Sequence, residues 1–174
     1  MKKIIILLIF LITASTWIYA LDENHLIVLK KGKETWNHWR KENQKINPDL
    51  SGAKLQGLNL SGYNLYMVNL QNADLSKANL SMAQLGRATL KGAILKGANL
   101  RKAQFWQTEL TDADFTDADL SGADMASVII HKTIFINARM SGVSINDEHK
   151  TYLKRQKIKG FKAIQWQDSG YGGM

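Results

Sequence analysis

Residues 113–125 read ADFTDADLSGADM, in which Ala, Asp and a large apolar residue occur in the same order three times at intervals of five. The spacing extends far beyond this stretch. Every position from 50 to 145 that is a multiple of five carries Leu, Phe, Ile or Met, which makes twenty such positions without an exception. Two residues before most of them stands a small residue, usually Ala. An internal repeat therefore determines the fold of residues 49–147.

A period of five fits neither a helix of 3.6 residues per turn nor an uninterrupted strand with a period of two. If the apolar residue and the small residue two positions before it both point inward, one extra outward residue is inserted in each repeat. Such an insertion bends a strand, as a β-bulge does. Regular bends wind the chain into a solenoid with an apolar interior. The predicted core includes Leu75, Leu80, Leu85, Leu90, Leu95, Leu100, Phe105, Leu110, Phe115 and Leu120.

The segments AKLQG, ADLSK, ANLSM, ANLRK, ADFTD and ADLSG resemble the A(D/N)LXX motif of the pentapeptide repeat family. The resemblance covers residues 49–147. It implies an all-β solenoid, a right-handed quadrilateral β-helix with four pentapeptides in each coil. Twenty repeats then give about five coils.

A solenoid must cover the unpaired strand edges at its two ends. Residues 21–48 are predicted to form an N-terminal capping helix, because Trp36 and Trp39 lie at helical spacing and Pro48 follows as a helix terminator. The segment TWNHWRKENQKINPDLSG also resembles the WNxWR-type capping helix that precedes many pentapeptide arrays.

Residues 148–174 are predicted to form a C-terminal cap and a flexible tail. A short basic helix is expected over residues 147–157, followed by an extended segment that covers the open end of the solenoid. The covering residues are Phe161, Ile164 and Trp166. Three isoleucines lie next to inward positions of the repeat and therefore point outward. They are expected to be buried under this cap, and they are Ile129, Ile134 and Ile136.

The first twenty residues have the composition of a secretory signal peptide. Lys2 and Lys3 precede an apolar run from residue 4 to residue 12, and a cleavage site is predicted after Ala20. An uncleaved anchor is the alternative, because residues 4–20 are near the shortest length that spans a membrane. The expected location is periplasmic or secreted, with membrane contact only through residues 1–20 if they are retained.

The sequence shows no constellation typical of an enzyme. There is no Cys, and the four His residues have no spacing typical of metal ligands. No Ser lies in an evident triad with His and an acid, and no Gly-rich phosphate loop is present. We therefore expect a non-enzymatic protein without metal or cofactor. A hydrolase that uses two carboxylates from the aspartate-rich coil is the enzymatic alternative.

Residues twenty apart should stack on one side of the solenoid, and this predicts two kinds of interaction surface. Tyr66 and Trp106 flank Gly86 in one column, about 9.6 Å apart over two coils. Such aromatics could bind a sugar chain or the loop of a partner. The simpler alternative is that they are scattered surface residues.

The second candidate surface is electrostatic. A basic band precedes an acidic band along the predicted rod. The basic candidates are Arg87, Lys91, Lys96, Arg101 and Lys102, and the acidic ones are Asp114, Asp119 and Asp124. A partner could dock on these bands, or the bands could only attract each other weakly across the surface.

The net charge bounds the class of partner. It is +8 for the chain and +6 without residues 1–20, where 21 basic residues face 15 acidic ones. In an exported protein this favours a protein or an anionic envelope polymer over nucleic acid. A homodimer formed through an end cap is a further alternative. The predicted function is thus an interaction or scaffold module.

One family function gives a different alternative. Some cytosolic pentapeptide repeat proteins resemble duplex DNA in shape and charge, bind DNA gyrase or topoisomerase, and protect against quinolones. The positive net charge and the predicted export signal both depart from that pattern.

Overall fold

A computed structural model describes residues 25–168 of the chain. The predicted signal peptide or anchor and the end of the predicted tail lie outside these residues. Between residues 25 and 168, no helix has both the length and the apolar composition needed to cross a membrane.

Residues twenty apart in the repeat lie side by side. Parallel bridges join Asp49 to Asn69 and recur at every fifth residue up to the pair of Asp124 and Ser144. Four pentapeptides therefore separate each residue from the one stacked on it. Most of these contacts are single bridges; three strands, β1 (Asp124–Met125), β2 (Ser144–Asn146) and β3 (Gln165–Gln167), form a parallel sheet in that order.

Each pentapeptide ends in a tight turn. The Leu50 carbonyl, for example, accepts a hydrogen bond from the Ala53 amide at 3.1 Å, and Gly52 between them has a φ of 63°. Positive φ recurs at every fifth position from 52 to 142, at seven glycines and twelve other residues. A left-handed third residue is the mark of a type II turn. The bend is thus a β-turn, and the bulge-like insertion that the sequence suggested is not its geometry.

The interior is apolar along its whole length. All ten predicted core residues have no exposed surface. The positions at multiples of five are buried from residue 50 to residue 145 except for Ile130, which is half-buried. Phe115 and Phe135 stack with ring centroids 5.1 Å apart. Thr108 and Thr133 replace Ala in the small slot, and each hydroxyl donates to a backbone carbonyl at 2.8 Å, so neither inward polar group is left unpaired.

Two helices precede the repeat, α1 over residues 25–30 and α2 over Lys33–Glu42. Side chains of α2 bond to the first repeats. The Trp36 indole is buried and donates to the Asn64 carbonyl at 2.7 Å, and Arg40 donates to the Tyr66 carbonyl at 2.8 Å. Trp39 packs on Trp36 with centroids 5.6 Å apart.

The helix ends at Glu42, six residues before the predicted terminator Pro48. The reason lies in two hydrogen bonds. The Asn43 side chain donates to the Trp39 carbonyl at 2.9 Å, and Arg40 donates to the Ile46 carbonyl at 2.6 Å. These bonds turn the chain out of the helix and hold it there.

The chain leaves the repeat through a 3₁₀ turn (Asp147–His149), the helix α3 (Lys150–Lys154) and a second 3₁₀ turn (Phe161–Ala163) before β3. Ile164 is buried, while Phe161 and Trp166 are half-buried with ring centroids 5.5 Å apart.

The predicted helix over residues 147–157 is therefore too long. The amide of Phe135 donates to the Gln156 side chain at 2.6 Å, and that of Asn137 donates to the Lys157 carbonyl at 2.7 Å. Both acceptors follow the end of α3, so bonding to the last repeats takes the place of another helical turn.

The prediction that three isoleucines are buried under the C-terminal segment is wrong. The exposed fractions of Ile129, Ile134 and Ile136 are 57%, 37% and 45%. The segment after the repeat bonds to the end of the coil, where Tyr152 and Gln156 both donate to the Thr133 carbonyl. It does not extend over the outward side chains.

Candidate interaction surfaces

The three candidate aspartates hold turns of the backbone. The Asp114 carboxylate accepts hydrogen bonds from the amide of Thr116 at 2.9 Å and from its hydroxyl at 2.6 Å. Asp119 accepts the same pair of bonds from Ser121, and Asp124 accepts one from the amide of Ala126. A carboxylate that bonds the amide two residues on is a local turn motif.

The basic and acidic bands meet in two ion pairs. Lys96 lies 3.1 Å from Asp114, and Arg101 lies 3.3 Å from Asp119. Both cations are more than half exposed, so each pair contributes little to stability, typically less than about 1 kcal/mol. These four candidates contact one another, which is the simpler of the two alternatives that the sequence left open.

These contacts also set the acidity of the two paired aspartates. Burial raises the pKa of Asp114. Hydrogen bonds from Thr116 and the charge of Lys96 lower the pKa by more than burial raises it, so the net shift is downward. The pKa of Asp119 is also lowered, because Ser121 and Arg101 outweigh the effect of burial. Both groups are therefore stabilised as carboxylates, the form that accepts hydrogen bonds without donating one.

The remaining basic candidates do not converge. Arg87, Lys91 and Lys102 are exposed and follow the core positions 85, 90 and 100 of the repeat. Because four pentapeptides separate stacked residues, these three side chains lie on three different sides. They form a broad positive field without a single binding point.

The two aromatic residues of the column, Tyr66 and Trp106, differ in their exposure. Gly86 is buried, and a Cβ placed on it would lie 3.2 Å from the Tyr66 ring, so this glycine makes room for the ring. Tyr66 is half-buried, and its backbone is bonded to Arg40 of α2. Trp106 instead is 45% exposed. Its carbonyl accepts a hydrogen bond from the backbone amide of Arg87 at 2.8 Å, which fixes the backbone beneath the exposed indole.

A groove that the sequence did not predict lies beside the last repeats. It has a volume of about 560 Å³ and is lined by Lys132, Thr133, Ile134, Ile136, Tyr152, Arg155, Gln156 and Lys157. The sequence signal was Ile at outward positions, where most repeats carry a polar or small residue. That signal predicts burial under a cap, whereas the structure leaves both isoleucines of the groove partly exposed.

Within residues 25–168, no three side chains among His, Asp and Glu come close enough together to hold a metal ion. The histidines are separated: His25 Nδ1 accepts a hydrogen bond from the Asp49 amide at 3.2 Å, and His149 contacts the Val128 carbonyl at 3.1 Å.

Comparisons with known proteins agree with the repeat. The model of pentapeptide repeats matches eight copies within residues 49–147. No curated protein gave a match. A pentapeptide repeat protein from the thylakoid lumen of Arabidopsis thaliana is 26% identical, with a TM-score of 0.51 over 71% of this chain and 84% of that protein.

Two other solved structures are similar over parts of the chain. HetL, a pentapeptide repeat protein involved in heterocyst differentiation regulation in the cyanobacterium Nostoc, is 32% identical with a TM-score of 0.42. The match covers 58% of this chain and about half, 48%, of HetL. QnrB1, a plasmid-mediated fluoroquinolone resistance protein, is 16% identical over 70% of this chain and 78% of its own, with a TM-score of 0.36. Because the repeat match covers more than half of the sequence, the protein belongs to the pentapeptide repeat family, whose members form right-handed β-helices.

Proposed function

We propose that this protein is a non-enzymatic interaction module, which binds a protein or an anionic envelope polymer through the sides of its β-helix. The exposed indole of Trp106 carries the proposal. The Arg87 amide donates to the Trp106 carbonyl, and the amide of the next residue, Gln107, donates to the Ala126 carbonyl, so the backbone around the indole is bonded to the coils on both sides. A large aromatic side chain on a fixed backbone binds a partner with little loss of conformational entropy.

The charged candidates have different roles in this proposal. Lys96, Arg101, Asp114 and Asp119 contact one another in pairs, and the two carboxylates also accept bonds from turn amides, so we assign them to the repeat itself and not to a partner. Arg87, Lys91 and Lys102 form no ion pair with any residue between 25 and 168, and with the exposed Asp124 they remain as surface charges that attract and orient a partner.

The finer architecture is part of the proposal. We infer about five right-handed, quadrilateral coils, with α2 as a WNxWR-type cap at the N-terminal end and the segment after residue 147 as the C-terminal cap. The support for the first cap is that Trp36, Asn37 and Arg40 bond to backbone groups of the first repeats. A preceding coil would otherwise supply those bonds.

Export is proposed from residues 1–20, whose composition is that of a signal peptide. The similar Arabidopsis protein is from the thylakoid lumen, so a protein of this family does occur inside a membrane-bounded compartment. Cell fractionation of the natural host tests this proposal. Recovery of the protein in the cytosol, with residues 1–20 intact, would contradict it.

The binding proposal is tested by cosedimentation of the purified protein with insoluble cell-wall polymer and by cross-linking to an envelope extract. Trp106→Ala should reduce the bound fraction severalfold. Met82→Ala is the matched control, because Met82 is an exposed apolar side chain, 61% exposed, on a different side of the coil. It should leave binding unchanged.

Two results would count against the proposal. The first is failure of the protein to bind any polymer or protein of the extract. The second is an equal loss of binding in Trp106→Ala and Met82→Ala, which would assign the binding to non-specific hydrophobic contact. A supercoiling assay distinguishes the gyrase alternative: inhibition of DNA gyrase at stoichiometric protein would favour that function instead.

A further inference from the structure

The groove beside the last repeats has one apolar wall and one basic wall. Ile134 and Ile136 form part of the wall on the β-helix, 37% and 45% exposed. Tyr152, Arg155 and Lys157 line the opposite wall, on and just after α3. The two walls are fixed to each other, since Tyr152 donates to the Thr133 carbonyl at 2.8 Å and Asn137 donates to the Lys157 carbonyl at 2.7 Å. The groove is therefore present before any ligand arrives.

Its cations have no acidic partner within residues 25–168. Lys132, Arg155 and Lys157 line the groove, and none of them forms an ion pair with a described residue. The nearest carboxylate in the column of Ile134 is Asp114, one coil earlier, and it is paired with Lys96. An exposed apolar surface bordered by three unpaired cations is complementary to an anionic group attached to apolar side chains.

We propose that this groove binds an extended acidic peptide segment of a partner protein, with aliphatic residues alternating with Asp or Glu. Ile134 and Ile136 are two residues apart on the same outward side. In an extended peptide, alternate side chains are also about 6.6 Å apart on one side, so two aliphatic side chains can contact both isoleucines. The side chains between them bring carboxylates to Lys132, Arg155 and Lys157.

The dimensions favour a peptide over a lipid. The apolar part of the β-helix wall extends over two isoleucines only, and both remain substantially exposed. A long acyl chain would leave most of its length in water there, whereas a peptide needs only two aliphatic contacts. This proposal uses a surface separate from Trp106 and does not rest on the function proposed for it.

Fluorescence anisotropy of the full chain with the labelled peptide Glu-Val-Glu-Val-Glu tests the proposal, with Lys-Val-Lys-Val-Lys as the charge-reversed comparison. The acidic peptide should bind more tightly by at least about tenfold, and its affinity should fall as salt is added. Ile134→Ser and Lys132→Glu should each weaken binding about tenfold.

The chain offers matched controls for both substitutions. Ile94→Ser changes an isoleucine that is 38% exposed in the same column as Ile134, two coils earlier. Lys77→Glu makes the charge change of Lys132→Glu at another turn position with positive φ. Both controls, and Trp106→Ala, should bind the acidic peptide like the unchanged protein. Circular dichroism should show that all variants are folded.

Several results would overturn the proposal. These are no binding of the acidic peptide, equal binding of both peptides, or the same loss in Ile94→Ser as in Ile134→Ser. Binding to anionic lipid vesicles with the same dependence on Ile134 and Lys132, but not to the peptide, would assign the groove to lipid. A dimer in sedimentation that Ile134→Ser dissociates would assign it to a second copy of the chain.

Discussion

At each turn of the repeat one residue has a left-handed backbone, whichever amino acid stands there. Glycine adopts this conformation freely, whereas an L-residue is disfavoured by about 1–2 kcal/mol. Twelve non-glycine residues nevertheless adopt it between Met67 and Asn137, with φ between 53° and 60°. Backbone hydrogen bonds to the neighbouring coils therefore impose the turn. The conformation of the turn does not determine which amino acid stands at that position.

Replacing a turn glycine should cost only this backbone strain where space is open. A Cβ on Gly57 would meet no atom within 4 Å, and its φ is 65°. We expect Gly57→Ala to lower the free energy of unfolding by about 1 kcal/mol, measured by urea denaturation. Gln107→Gly, at φ 54°, should change it by less, because relief of strain is offset by a more flexible unfolded chain. A loss of several kcal/mol in Gly57→Ala would contradict the open site.

The lowered pKa values of Asp114 and Asp119 predict a pH dependence of stability. A carboxyl whose folded pKa lies below its unfolded value stabilises the protein above the unfolded pKa, about 3.9, and this contribution is lost as pH falls through the folded value. The free energy of unfolding should therefore decline below about pH 4. The double variant Asp114→Asn, Asp119→Asn should show a shallower decline, because the amide oxygens still accept the turn bonds but do not titrate. Identical pH profiles would exclude these two groups as the source.

At the scale of elements, α2 is joined to the repeat through side chains. Arg40 is the most demanding of them, because it is 4% exposed and its Nε has no partner within the described residues, while its other nitrogens bond to the Ile46 and Tyr66 carbonyls. Burial also lowers its pKa. The guanidinium is kept in an apolar site by the two carbonyls that it joins.

Arg40→Met should keep the volume but leave both carbonyls without a donor, which destabilises by about 1–3 kcal/mol. The loss should be local. In hydrogen exchange, the amides of Asn64 and Asn69, which bond to Asn37 and Pro48, should exchange faster, while that of Leu95 in the middle of the repeat should be unchanged. Lys41→Met is the exposed control in the same helix. Uniform acceleration across the chain would show instead that α2 and the repeat unfold together.

The sequence predicted the inward positions of the repeat, because one strict period decides them all and Leu85 or Phe115 has no other place to be buried. It predicted the ends poorly. The end of α2 at Glu42 depends on side-chain bonds from Asn43 to the Trp39 carbonyl and from Arg40 to the Ile46 carbonyl. The end of α3 at Lys154 depends on the bond that Gln156 accepts from the amide of Phe135. The apolar period of the sequence encodes neither set of bonds. The predicted burial of Ile129, Ile134 and Ile136 is wrong for a similar reason, since only the path of the last segment decides what it covers.

At the scale of the whole molecule, every coil packs against the next, so a substitution that disrupts one coil should destabilise its neighbours as well. Leu85 has no exposed surface, while the adjacent Gln84 is exposed. Leu85→Lys places an unpaired charge in the core and should destabilise by several kcal/mol, giving an unfolded or aggregated protein. Gln84→Lys should shift the urea midpoint little. Thermal melts followed by circular dichroism compare the two; equal tolerance would reject the assigned inward phase.

The register of twenty residues between Asp49 and Ser144 has a consequence for insertions and deletions. Loss of a single pentapeptide would keep every core position apolar, yet would rotate all later side chains by about a quarter turn relative to the earlier ones. Loss of four would shorten the rod and leave each side facing as before. Insertions or deletions of twenty residues thus change the length of the array without changing which residues share a side. An insertion or deletion of any other length changes which residues share a side, and this alters the surroundings of Trp106 and of the groove at Ile134.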